Sequence, residues 1–419
     1  MIRLTADWLL TMDGPPVARG GVLLDGPTLV AVGPADRLPS PPGVREERVA
    51  GVLMPGLVNT HTHLELTGLP VGVPPADFPG WIRALRAAKE ARPPAWFGEA
   101  AAGGVRAGFA GGVTTFVDTG DSGAALDALV AAGASGVVYQ EVFGPDPTQL
   151  QASLDGLSSR LAGLRGRATD RVRVGVSPHA PYTVSGPLYR AVAALAARES
   201  VPIAVHLAES AAESELVIRG TGPFAEAWRA RGIPPLDPAV EGLPPASRRS
   251  PVAWLDAHGV LGPDTLCIHC VRVDERDIAL LRSRGASVAH CPISNAEHGH
   301  GSAPLSRLLG AGIPVGVGTD SELSVGTVDL FREARAAREL ADLDAGAALG
   351  LVTADAARAV GLGARVGRLE PGLDADLVAL AVDPGPDGDP EATALQAGPG
   401  DVLLTVAAGR VVYRRGHPA

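Results

Sequence analysis

Short apolar, β-branched runs recur through the middle of the chain, each followed by a longer alanine-rich stretch of helical spacing. The runs are Gly56–Asn59, Val113–Asp118, Gly136–Val142, Val172–Val176, Pro202–Val205, Thr265–Ile268, Ala286–Ala289 and Pro314–Val317. The helical stretches include Phe97–Ala107, Ala124–Ala132, Leu188–Arg198, Glu275–Arg284 and Leu330–Leu340. Eight such units over about 310 residues predict an α/β fold, a (β/α)8 TIM barrel with insertions. An open doubly wound sheet uses the same alternation, but no Gly-x-Gly-x-x-Gly follows the first strand.

Both ends read differently. Val22–Leu24 and Leu29–Val32 flank the turn Asp25-Gly26-Pro27, and Asp376–Val382, Val402–Val406 and Arg410–Tyr413 are further short strands. Neither end has enough strands for a core of its own. The pattern therefore predicts a small composite β-sandwich domain from residues 1–52 and 365–419, around a barrel at 53–364. Two insertions stand out, Thr67–Trp96 with Phe78, Trp81 and Trp96, and the proline-rich Gly232–Val252. Each either covers a site mouth or packs as a surface loop.

Functional residues of a barrel sit at the C-terminal ends of its strands. The first run ends in Asn59-Thr60-His61-Thr62-His63, the fourth in Ser177-Pro178-His179, and the fifth in His206-Leu207-Ala208-Glu209. The last three end in His269-Cys270, His290-Cys291 and Thr319-Asp320-Ser321. His61 and His63 are two apart in extended chain, so both face one way. With His206 and Asp320 they make three nitrogens and a carboxylate, a set for one divalent metal ion; an ordinary cap is the other reading of Asp320. Such a set leaves a divalent ion with net positive charge, which favours bound hydroxide and suits zinc, or iron, over magnesium or calcium.

Glu209 follows the strand, where a carboxylate reaches the reaction centre without binding the metal, as a proton shuttle does. A glutamate in a helix first turn is the alternative. His269 would hold a developing oxyanion or sit satisfied in the core. His179 would touch substrate or brace the mouth, and Trp81 is the other expected substrate contact. A structural role is expected for His290, and a solvated loop for His298 and His300.

Composition narrows the classes. With 53 glycines and 37 prolines the chain is loop-rich, yet 46% of residues are hydrophobic, enough for a large core. A net charge of −10 gives no nucleic-acid footprint. Lys89 is the only lysine, which excludes a phosphate-binding Gly-Lys-Ser/Thr loop. Its setting, Ala-Ala-Lys-Glu-Ala, reads as an exposed helix, which argues against Schiff-base chemistry. Three cysteines give no disulfide framework, and Cys267 and Cys270 straddle a strand as buried small residues rather than a redox pair. No stretch of about 18 apolar residues predicts a spanning helix, and Met1–Gly14 lacks a signal-peptide core. A cytoplasmic protein free of membrane is expected, and low charge with apolar strand edges leaves room for a homodimer.

Taken in order, these residues resemble the metal-dependent amidohydrolase superfamily, in its cytosine-deaminase-like branch with the ATZ/TRZ chlorohydrolases and aminohydrolases. The matching segments are Met54–Leu64, Ser177–Ser185, His206–Glu209, Ile268–Cys270, His290–Asn295 and Gly318–Ser321, with Gly367–Leu377 and Val406–Val412 resembling the composite β domain. The resemblance implies metal ligands at His61, His63, His206 and Asp320, a shuttle at Glu209, a substrate-polarising His269, and a second role for Asp320 as proton acceptor. Two-metal branches commonly carry a carboxylated lysine near the end of strand four; this chain has none there, so one metal is expected. The implied activity is hydrolytic deamination of an aminated heterocycle, a purine-like base or nucleoside derivative such as aminodeoxyfutalosine, by metal-bound hydroxide with release of ammonia. Chloride displacement or cyclic-amide hydrolysis is the alternative on the same fold, and a non-catalytic scaffold a more distant one. The segment Ala296–Gly301 departs from the family's usual turn, as does Ser321–Val325, which leaves the substrate open.

Overall fold

The repeating units close into a barrel. The computed structural model describes residues 1–71, 77–236, 242–385 and 387–416. The barrel strands are β1 (Leu57–Thr62), β2 (Val113–Gly120), β3 (Ser135–Val142), β4 (Val172–Pro178), β5 (Ile203–Leu207), β6 (Thr265–His269), β7 (Ser287–His290) and β8 (Val315–Val317). They lie in sequence order, each parallel to the next. Helices such as Ala124–Ala132, Gly186–Glu199, Glu275–Arg284 and Leu330–Ala341 return the chain between them. Several strands run past the apolar runs that announced them. His61, His206, His269 and His290 therefore belong to the strands themselves.

Closure happens at the site. Thr62 and Asp320 form an isolated parallel bridge, and the Asp320 amide donates to the His61 carbonyl at 3.0 Å. Gly318 allows this approach, since a Cβ there would stand 2.5 Å from the His61 nitrogen. The opposite end is plugged. Val58, Val117, Val137, Tyr139, Ala204 and Ile268 meet Ala356 and Ala357 of the helix Ala354–Ala359 in one apolar cluster. The period-two alternation of strands then fixes what faces the open mouth. Val137 and Tyr139 point inward, so Glu141 does too, and Ala204 sets His206 in the same way.

The two ends of the chain form one eight-stranded sheet. Arg45–Pro55 runs parallel to Ile2–Leu9 on one side and antiparallel to Leu377–Leu380 on the other. Val402–Ala407 and Arg410–Arg414 extend it at one edge, Gly20–Asp25 and Thr28–Pro34 at the other. Leu4, Val22, Leu29, Leu53, Leu377 and Leu404 share a separate apolar cluster. Arg45–Pro55 passes into β1 through Gly56 alone, where a Cβ would collide with Thr114 at 2.2 Å. Arg171, just ahead of β4, ties the sheet to the barrel through Asp374 at 2.6 Å and Asp376 at 2.8 Å.

Of the two insertions, Thr67–Trp96 reaches the mouth. It carries a rim helix, Phe78–Glu90, capped by Asp77, whose carboxylate accepts the Gly80 N–H at 2.9 Å. None of the described residues of Gly232–Val252 lines the cavity; residues 72–76 and 237–241 lie outside the description. Among the described residues no helix is long and apolar enough to cross a membrane.

Candidate active site

At the mouth, His61 and His63 bring their rings to 4.8 Å, and His206 lies 5.0 Å from His61. Asp320 Oδ1 is 3.4 Å from His63 Nε2 and 3.6 Å from His61 Nε2. Two ligands about 2.1 Å from a tetrahedral ion stand roughly 3.4 Å apart, so the spacing is that of a coordination shell. Hydrogen bonds also fix which nitrogen is free. His63 Nδ1 meets the Thr119 carbonyl at 2.8 Å, and His206 Nδ1 meets the His179 carbonyl at 3.2 Å. A carbonyl only accepts, so both Nδ1 atoms carry the proton and both Nε2 lone pairs face the centre. Burial, and then the neighbouring imidazoles, hold His63 down to about 4 and His206 well below the ordinary histidine range. Neutral rings are what a metal needs. Both ring nitrogens of fully buried His61 lack a hydrogen-bond partner. Converging lone pairs of this kind are costly unless a cation satisfies them, and the residues fit one divalent ion.

Asp320 is held from behind. Its Oδ2 accepts from Ser294 Oγ at 2.5 Å and its Oδ1 from the Ser321 amide at 2.7 Å. Burial opposes its charge, yet His61, His63 and His269 keep its pKa well below the ordinary carboxylate value. The backbone is left-handed at His269 (φ 73°), Asp320 (φ 58°) and Ala208 (φ 52°), a sparse region for non-glycine residues. At His269 this turn breaks the alternation set by Leu266 and Ile268, both in the inner cluster, and brings the ring to 5.6 Å from His61.

Glu209 lies beyond the ligand set. Its Oε1 is 3.5 Å from His269 Nε2 and 3.4 Å from His300 Nε2. It precedes the helix Ala211–Arg219 and its Ser210 cap, so the helix-first-turn reading does not apply. Glu213 does occupy that turn, where its carboxyl accepts the Ala208 and Glu209 amides at 2.7 and 2.9 Å and fixes the loop. Burial disfavours the Glu209 carboxylate, but His269 and His300 hold its pKa down to about 2. It is ionised at rest and ready to accept a proton.

Sequence reasoning placed His298 and His300 in a solvated loop; the structure corrects this. Each is only 7% exposed. His298 lies edge-on to Trp81 at 4.5 Å and His300 to Phe78 at 4.6 Å, so apolar rings from the rim helix cover both. His290 is fully buried, its Nδ1 3.2 Å from the His269 carbonyl, and Cys267 and Cys270 are buried and free.

Above the centre opens a cavity of about 550 Å³, lined by His179, Trp81, Tyr182, Phe224, Trp228 and Glu141 among others. Lys89 lines it as well, which corrects the exposed-helix reading. Its Nζ reaches Glu65 Oε1 and Asp121 Oδ1, each at 2.7 Å, and latches the rim helix to the ends of β1 and β2. Burial works against the Glu65 charge, but Lys89 holds its pKa down to about 2. Lys89→Met should leave that buried carboxylate short of its counter-charge and cost about 3 kcal/mol of stability, read by denaturant unfolding; a loss under 1 kcal/mol would show the latch to be idle. Glu65, Glu141 and Asp118 were missed in the sequence. The strand-end rule marks Asp118, which closes the second apolar run, and falls one residue past Glu141 in the third.

The amidohydrolase family profile matches residues 52–412. The chain is 31% identical over 421 residues to a 5-methylthioadenosine/S-adenosylhomocysteine deaminase of Symbiobacterium thermophilum, covering 94% of this chain and 88% of that one. It is 34% identical over 350 residues to an aminodeoxyfutalosine deaminase of Deinococcus radiodurans, 80% of each chain. Among solved structures, an adenosine deaminase from Xanthomonas campestris with bound zinc superposes at TM-score 0.81, with 26% identity over 98% of this chain and 92% of that one. The match runs from the last residues of the N-terminal sheet strands, through the whole barrel, into the final strand, and on that footing the chain belongs to the amidohydrolase family.

Proposed function

We propose that the protein is a hydrolytic deaminase of adenine-bearing nucleoside derivatives, holding one divalent ion, zinc in preference to iron, on His61, His63, His206 and Asp320. The observation that carries this reading is the Glu209 carboxylate, 3.5 Å from His269 and 3.4 Å from His300, beside the cluster of His61, His63, His206 and Asp320 at the floor of the cavity. The named relatives, deaminases of adenosine-type compounds, support it.

The ion, when bound, supplies Lewis acidity and brings the pKa of water down toward 7. The chain's residues do the rest. Water adds to the ring carbon that bears the amino group. Glu209 accepts one of its protons and delivers it to the adjacent ring nitrogen, where it stays. Asp320 accepts the other, which leaves with the amino group as ammonia. His269 donates to the oxygen on which charge develops, where a positioned donor acts most strongly. His179 and Trp81 line the cavity beside this centre and are proposed to hold the remainder of the substrate.

Ammonia release from the zinc-loaded protein should be measured with adenine, adenosine, 5′-methylthioadenosine, S-adenosylhomocysteine and aminodeoxyfutalosine, beside chloride release from a chlorotriazine. Nucleosides should be deaminated and the chlorotriazine left intact. Chloride release without ammonia, or no ammonia from any compound with metal content verified, would refute deamination.

A further inference from the structure

Glu141, the last residue but one of β3, turns its side chain into the cavity, and nothing in the chemistry above uses it. It is 4% exposed, and its Oε1 is buried without a hydrogen-bond partner. The other buried carboxylates of this wall each have hydrogen-bond donors, although Asp118 receives both of its bonds on Oδ2 and leaves Oδ1 bare. Glu65 accepts from Lys89 at 2.7 Å and from the Ser122 amide at 3.0 Å, and Asp118 accepts the Leu64 amide at 2.6 Å. A native fold rarely leaves a buried carboxyl oxygen bare without a functional reason. The oxygen is also well placed. Glu141, His179 and His206 bring ligand atoms within 4.8 Å of one another, so the carboxyl stands directly beside the centre.

A second metal ion is a poor occupant. The free Nε2 of His206 is committed to the first site, and His179 Nδ1 is engaged at 2.8 Å by Thr183 Oγ1. Thr183 Oγ1 donates to the Ala180 carbonyl at 3.1 Å, so it accepts from His179, and the remaining His179 nitrogen is an acceptor. Glu141 and His179 together thus offer acceptors on the β3–β4 side of the mouth. The reacting ring must meet Glu209, His269 and Asp320, which rise from the β5, β6 and β8 ends. What lies against Glu141 is the rest of the substrate.

We propose that Glu141 is a specificity-determining residue that binds a sugar hydroxyl of the substrate, with His179 beside it, so that the site selects nucleosides over free bases. This rests on the deaminase reading above and deepens it.

The test is a cycle between protein and ligand. The holoenzyme, Glu141→Gln and Glu141→Leu are each assayed for kcat/KM with adenosine, 2′-deoxyadenosine, 3′-deoxyadenosine and adenine. Loss of the partnered hydroxyl should cost the wild type on the order of 10- to 100-fold. Glu141→Leu should lose a similar factor on adenosine and almost nothing further on that deoxy compound or on adenine. Glu141→Leu should also melt at or above the wild-type temperature, because it removes a buried group that has no internal partner. Equal losses on all four substrates, no loss on any, or a lower melting temperature for Glu141→Leu would each overturn the proposal. If the wild type deaminates neither these four nor 5′-methylthioadenosine, S-adenosylhomocysteine and aminodeoxyfutalosine, the deaminase reading has failed instead, and the melting comparison alone decides whether Glu141 has an internal partner.

Discussion

Glu209→Gln should lower kcat by about 10³-fold or more while zinc content and melting temperature stay at wild-type values. General acid–base groups contribute roughly 10²- to 10⁴-fold, and this one is asked both to accept a proton and to deliver it. Glutamine keeps the shape of the side chain and its reach to His269 and His300, which stand 3.5 and 3.4 Å away. It cannot accept and pass on a proton. Because the proposed ligand set does not include Glu209, the ion should stay. A variant that keeps full turnover would remove Glu209 from the mechanism, and one that loses its zinc would move it into the coordination shell.

The second large effect falls on the ligands. Asp320→Asn and His61→Ala should each abolish turnover and drop bound metal well below one ion per chain, measured by elemental analysis. A readout independent of activity exists. Zinc at a thousand times its Kd should stabilise the wild type by about 4 kcal/mol, since a ligand bound only by the native state adds RT ln(1 + [L]/Kd). Neither variant should show that zinc-dependent rise in melting temperature. Equal zinc-induced shifts in wild type and variants would place the ion elsewhere.

The barrel and the cluster of His61, His63, His206 and Asp320 at its mouth were legible in the sequence because each follows from a local rule. Helices Ala124–Ala132 and Glu275–Arg284 have the limits that helical spacing and their flanking signals indicated, and His61, His63, His206 and Asp320 were marked by standing where apolar runs stop. What escaped depends on contacts distant in sequence. Lys89 looked solvated because nothing near it in the chain is acidic except Glu90; its partners are Glu65 and Asp121, brought in by β1 and β2. His298 and His300 sit among glycines, alanine and glutamate, and only the rings of Phe78 and Trp81, from a helix two hundred residues earlier, bury them. The inward turn of His269 is set by a left-handed backbone, which no hydrophobic pattern encodes.

The strand that delivers His61 enters the barrel straight from the terminal sheet, and its upstream half is flanked by residues 2–9 on one side and 377–380 on the other. On the ribosome, that second flank is made only after the whole barrel has been synthesised. Asp320, which shuts the ring against Thr62, also emerges late. On the reading proposed above, nascent chains halted before residue 377 should hold zinc far more loosely than the full chain, even with His61, His63, His206 and Asp320 already synthesised.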